Sequence, residues 1–169
     1  MDRYLQRLQD AIAAATNGMN TADLARHPEG KWNTAQVMEH LYLTYRGTVK
    51  GFERCLKEGR PLASKATVRQ QAAALVVTGL GYLPEGRKAP ELTNPRGIDC
   101  GELLNTIGPQ ITAMDQIISQ CEARFGESTP LLDHPILGPL TGRQWRKFHW
   151  VHGRHHVKQI WKLRGNGSR

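Results

Sequence analysis

Residues 141–163 read TGRQWRKFHWVHGRHHVKQIWKL. Within them Trp145, His149, His152, His156, Gln159 and Leu163 recur at four- and three-residue steps. That is the period of one narrow seam on a helix packed against partner helices. Thr141, followed three residues later by Gln144, forms a capping box that starts the helix. The helix is predicted to run to about Leu163, with 164–169 a frayed tail around Gly165-Asn166-Gly167. Imidazoles buried among apolar side chains are costly unless their nitrogens are satisfied. The stretch therefore predicts both a helical bundle and a partner for its histidines.

Three further segments carry the same period. Tyr4, Leu5, Leu8, Ile12 and Ala15 predict a first helix over 2–16, ended by Asn17-Gly18. A second begins at Asn33 or Thr34, with Gln36 completing a capping box. It runs through Val37, Leu41, Thr44, Thr48 and Phe52 to about Lys57, closed by Gly59 and Pro61. A third opens at Asp99 with Glu102 and carries Leu103, Leu104, Ile107, Ile111, Met114, Ile117 and Ile118 as far as Gly126. Pro109 inside it predicts a kink near Asn105. Four long helices and no convincing strand predict an all-α four-helix bundle, one domain over 1–169. Thr21–Leu24 reads as a short turn, and His27–Lys31 and Leu131–Leu140 (LLDHPILGPL) as loops. Residues 60–98 form a long crossover between the second and third helices, broken by Pro61, Pro84, Pro90 and Pro95. Only 67–77 of it has helical character. A connection of this length predicts a lid over a site or an edge of a dimer.

Composition narrows the functional classes. The chain of 169 residues is 39% hydrophobic and 22% charged, with a net charge of +8. No acidic residue follows Asp133, while Arg143, Arg146, Lys147, Arg154, Lys158, Lys162, Arg164 and Arg169 all do. That asymmetry suits a solvated helix face, or one that attracts an anionic small molecule, a membrane surface or, less well, nucleic acid, since neither a helix-turn-helix signature nor an exposed stacking pattern accompanies it. No apolar run approaches the roughly 20 residues a bilayer requires. The first fifteen residues carry charges throughout, unlike a signal peptide. The expectation is a cytoplasmic protein that does not enter a membrane. Cys55, Cys100 and Cys121 match neither a disulfide framework nor a paired-cysteine zinc motif, and are expected as reduced thiols.

The chemistry concentrates in four histidines within eight residues: His149, His152, His155 and His156. Residues four apart on a helix stand one above the other, so His152 and His156 can grip one ion together. A third ligand should come from a facing helix. His40, near the start of the second helix and close to its core side, is the best candidate, although periodicity alone does not bring it level with the pair. Three neutral histidines leave the charge of a divalent ion uncompensated and a coordination position open to water or substrate. Zinc or nickel suits such ligands. Gln159, His149 and His155 are the candidates to flank the centre. Gln159 orients a ligand or bonds another helix. His149 either takes a ligand position or packs above the site. His155 lies about 100° round the helix from His156. No Ser-His-Asp order, phosphate-cradling glycine loop or paired carboxylate site is present to suggest another chemistry.

The run Trp32-Asn33 to His40, joined to His152, His156 and Gln159, resembles the DinB-like superfamily. The phrases HPILGPLTGRQW and HWVHGRHHVKQ are similar to an uncharacterised branch of it. The resemblance covers nearly the whole chain. It implies a four-helix bundle with a crossover, frequent homodimers, and a divalent metal on His40, His152 and His156. Some relatives are thiol-dependent S-transferases, so it also implies a metal-dependent enzyme acting on a small substrate, anionic or a low-molecular-weight thiol. A metal-water hydrolase and a non-enzymatic, metal-stabilised binding module, for nucleic acid among others, are the alternatives.

Overall fold

Side-chain caps set the helix boundaries. A computed structural model describes residues 1–26, 30–84 and 90–165. Helix α1 (Arg3–Thr16) starts where Asp2 accepts the Tyr4 N–H, and the five-residue α2 (Thr21–Ala25) starts at a capping box between Asn20 and Asp23. Thr21 thus opens a helix where the sequence suggested a turn. Helix α3 (Thr34–Glu58) begins at the Asn33–Gln36 capping box and stops at Gly59, which turns left-handed at φ 69°. Helix α4 (Val68–Ala74) runs into a π-helical turn over Leu75–Gly79, and a 3₁₀ turn follows at Glu91–Thr93. Helix α5 (Cys100–Phe125) is continuous across Pro109. Its cap is one-sided: Asp99 accepts the Glu102 N–H, and the return bond of a full box is not made. Strands β1 (Leu132–His134) and β2 (Gly138–Leu140) form an antiparallel hairpin pairing Leu132 with Leu140. Helix α6 (Gly142–Gly165) ends the described chain.

The expected all-α architecture holds, with four long helices and only this small hairpin as sheet among the described residues. Helix α3 packs mainly on α5, and α1 on α6. Their shared core takes Leu5, Leu8 and Ile12 from α1, Leu41, Tyr45 and Phe52 from α3, Ile111, Met114 and Ile118 from α5, and Trp145 and Ile160 from α6. Each side chain of this size buried from water contributes about 1.5–3 kcal/mol. Gly153 lets α1 close on α6, because a Cβ there would collide with Leu8. No helix among the described residues is long and apolar enough to cross a membrane. The three cysteines are free thiols, Cys55 and Cys121 in the core.

The frayed tail expected over 164–169 needs correction at its start. Arg164 and Gly165 belong to α6, because the Arg164 guanidinium donates to the carbonyls of Ala15 and Asn17 at 2.8 and 3.1 Å and holds the end of α1. Residues 166–169 lie outside the described residues, as do 27–29 of the expected first loop and 85–89 of the crossover.

The crossover is tied down at many points. The Leu62 N–H donates to the Leu131 carbonyl at 2.9 Å. From α6, Lys147 donates to the Gly79 carbonyl and Arg154 to that of Gly81, both at 2.9 Å. The buried Glu39 carboxylate accepts the N–H groups of Arg96, Gly97 and Ile98 at 2.6, 3.0 and 3.2 Å. The basic end is therefore partly committed to the fold. Arg146 is buried too: it reaches Asp115 at 2.7 Å, both oxygens of Glu122 at 2.8 and 2.7 Å, and Ser119 at 2.8 Å.

Candidate metal centre

The antiparallel pairing of α3 with α6 decides the site. Phe52 stacks edge-on against Trp145, Thr48 meets His149, and His40 meets His152 and His156. One seam of α6 is thereby laid along one face of α3, and the level of residue 40, which periodicity left open, is fixed by this register. His40 Nε2 lies 3.2 Å from His152 Nε2, which lies 3.1 Å from His156 Nε2. One ligand atom from each of the three residues falls within 4.8 Å of the others, an arrangement that could hold a metal ion.

The hydrogen bonds on the far side of two rings fix what faces inward. His40 Nδ1 is 2.9 Å from the Thr93 carbonyl, which can only accept, so this nitrogen carries the proton and Nε2 is a bare lone pair. His156 Nδ1 donates in the same way to Gln159 Oε1 at 2.8 Å, while the Gln159 amide nitrogen donates to His155 Nε2 at 3.1 Å. Two lone pairs thus point at His152 Nε2. A single proton on that nitrogen could satisfy only one of them. A cation among the three satisfies all, and bonds of about 2.1 Å place neighbouring ligand nitrogens about 3.0–3.4 Å apart for octahedral or tetrahedral geometry. The 3.1 and 3.2 Å separations from His152 fall in that interval and the third pair lies within 4.8 Å, so the donor set could take a divalent ion.

Electrostatics agree. Burial, then the nearby His40, lowers the pKa of His156 to about 3. His152 is held well below the usual imidazole range by burial first and by its histidine neighbours second, and His40 is lowered by burial. All three stay neutral at physiological pH, the form that ligates.

The flanking candidates separate. Gln159 orients His156 and ties it to His155, so both lie behind the triad. His149 stays out of the ligand set and packs on the seam. It is fully buried, stacked on Trp145, with Nε2 3.1 Å from the Thr48 hydroxyl and a pKa lowered to about 3 by burial. Because Thr48 gives its own proton to the Thr44 carbonyl, His149 Nε2 is the donor.

Several residues escaped the sequence reading. Thr93 orients His40, and Glu39 beside it pins the segment that carries Thr93. Trp32 lies against the His40 ring, 5.2 Å between centroids. His134, read as part of a loop, accepts the N–H groups of Ile136 and Leu137 at 3.1 Å and sets its ring on Phe148. Burial lowers its pKa to about 4. A buried carboxylate beside a candidate ligand, at Glu39-His40, was the one signal that could have drawn attention to the clasp.

The triad opens onto a cavity of about 1790 Å³ between α3 and α6. Ala73, Val76, Val77, Leu83 and Leu92 of the crossover line it from one side, and Leu132, His134 and Ile136 of the hairpin from one end. The crossover therefore edges the site, as its length implied.

No curated protein and no solved structure matches the chain. A family profile described only as a protein of unknown function, DUF1569, matches residues 2–163, which hold all three histidines and all but the last two residues of the four long helices. The chain belongs to the DUF1569 family, whose function is undefined.

Proposed function

We propose that this protein is a metal-dependent enzyme whose divalent ion, zinc or nickel, is held by His40, His152 and His156. The observation that carries the reading is the convergence of three imidazole nitrogens, two of them bare lone pairs, at 3.1 and 3.2 Å with no anion among them. The helical architecture and this cluster support kinship with the DinB-like superfamily. When bound, such an ion would supply Lewis acidity and stabilise an anionic ligand such as a thiolate. Thr93 and Gln159 hold the His40 and His156 tautomers that leave Nε2 free. A substrate packed on the mostly apolar walls of the cavity would displace water from them, which strengthens charge interactions there. Lys162 at the cavity wall attracts an anionic partner.

Within that class we favour a thiol-dependent S-transferase, acting on a small anionic molecule or a low-molecular-weight thiol. A histidine-only centre keeps its positive charge and prefers an anionic nucleophile. Nucleic acid is the weaker reading, since Arg146, Lys147, Arg154 and Arg164 already bond within the fold. A homodimer would have the exposed Val68, Leu75, Leu80 and Leu92 of the crossover to bury.

Metal analysis of the purified wild-type, His152→Ala and His156→Ala proteins tests the centre. About one equivalent in the wild type and loss in both variants is expected; full retention in either places the ion elsewhere. Titrating small thiols into the cobalt-substituted protein tests the reaction class. A thiolate-to-metal absorption band is expected. If no thiol perturbs the metal while simple esters are hydrolysed, the hydrolase reading replaces it.

A further inference from the structure

Glycine in a helix interior is disfavoured against alanine, so each one there invites a packing reason. Gly153 and Gly51 have one: a Cβ would strike Leu8 at the first and Leu132 at the second. Gly47, in the middle of α3, has none. A Cβ there would meet nothing within 4 Å, and its backbone angle is ordinary for a helix. It is exposed and lies at the cavity mouth, whose wall along α3 takes Val37, His40, Leu43, Thr44, Gly47, Thr48 and Gly51. The small side chains at 44, 47, 48 and 51 leave a trough beyond Leu43, and a large residue at 47 would stand at its edge.

The trough has a direction. From His40 to Gly51 it extends about 16 Å along the helix. Near the histidines its lining includes Gln159 and Lys162. Towards Gly51 the lining becomes Phe148, Trp145, Leu132 and Ile136. One end thus offers the histidine triad and a cation; the other is mostly apolar, its two polar residues already engaged, Asp133 by the Ser64 N–H and His134 by the N–H groups of Ile136 and Leu137.

We propose that the cavity takes an elongated amphipathic molecule, its anionic head at the histidine triad and an unbranched acyl or alkyl body lying over Gly47 towards Leu132. The head group rests on the metal centre proposed above; the seat for the body does not. Burial of each methylene against the trough should tighten binding by about fourfold until the trough is full.

The test is a calorimetric titration of the wild-type protein with butyrate, hexanoate, octanoate, decanoate and dodecanoate, each below its micelle concentration. Affinity is expected to climb along the series. In Gly47→Leu the longer acids should lose at least about tenfold while butyrate is unchanged. Gly47→Ala should lie between, and both variants should melt no lower than the wild type, because the site has room and the helix gains propensity. A flat series, or a Gly47→Leu protein that keeps the full gradient, overturns the proposal. Metal content measured on the same samples reports on the centre alone. A gradient in wild-type protein that takes up no metal would sink the metal reading and leave the amphiphile seat standing. A flat series with metal bound would do the reverse.

Discussion

Two buried polar clusters sit on the same helix and have opposite characters. At the start of α6, Arg146 is surrounded by Asp115, Glu122 and Ser119, each within 2.8 Å of a guanidinium nitrogen, so its charge is compensated and every guanidinium nitrogen has a partner. Two to three turns later, His152 and His156 meet only another imidazole at their inward nitrogens. The first cluster is closed and asks for nothing from outside. The second presents inward lone pairs of one kind, an arrangement that could hold a metal ion, and leaves the buried His152 Nδ1 without a hydrogen-bond partner among the described residues. A buried polar group whose partners all lie in the chain reads as structure. One whose partners are all of its own kind reads as a site.

That contrast can be broken at either end. Arg146→Met should have the largest effect, since it leaves two carboxylates inside the bundle without their counter-charge. A loss of about 3–5 kcal/mol is expected, together with metal content per folded molecule equal to that of the wild type. A variant as stable as the wild type in urea would mean that the cluster is not the closed structural element described.

At the other end, added zinc should stabilise the wild type by roughly 3 kcal/mol at about 100 times Kd, and chelator should reverse the gain. His152→Ala should show no such response. Thermal melts with and without metal make the measurement. An equal shift in both proteins would place the ion outside the triad.

Gln159→Leu sharpens the comparison by removing the partner of His156 Nδ1, and with it the link to His155. Removing such an orienting partner typically weakens metal binding by about 10–100-fold. The unfolding midpoint of the metal-free protein should change little, because Gln159 is only partly buried. Unchanged affinity in competition with a chromophoric chelator would show that the Gln159 contact is incidental.

The smallest effect concerns pH. His149 has a folded pKa of about 3 against an ordinary 6.5, so between these values the unfolded chain binds the extra proton. Stability is therefore lost as pH falls below about 6.5, by about 1 kcal/mol for each pH unit this histidine contributes. His149→Leu should flatten the fall by that amount while Thr48 keeps its bond to the Thr44 carbonyl. Urea midpoints from neutral to mildly acidic pH make the comparison, and an unaltered slope would contradict the burial argument.

The helices were legible because their signals are local. Asn33 with Gln36, and Thr141 with Gln144, form caps from residues three apart, and the structure uses both as read. The pair His152 and His156 was legible for the same reason, four residues apart on one helix. Where a signal ran past its local range it failed. The end of α6 was read two residues short, because Arg164 is held by carbonyls of α1 that lie far away in the chain.

The sequence by itself determined the helices, their buried faces and the identity of the residues able to hold a metal. It could not determine which of them meet. His40 joins the pair only because α3 and α6 pack antiparallel in one register, and a shift of one helical turn would bring Thr44 there instead. His149 drops out because that register gives it Thr48 as a partner. Thr93 and His134 reach the site through a crossover and a hairpin, whose paths are set by contacts between distant residues, such as Glu39 of α3 with the N–H groups of residues 96–98, rather than by any period. Local backbone chemistry writes a helix within a few residues, whereas a site assembled across four segments exists only once their burial has fixed how they pack.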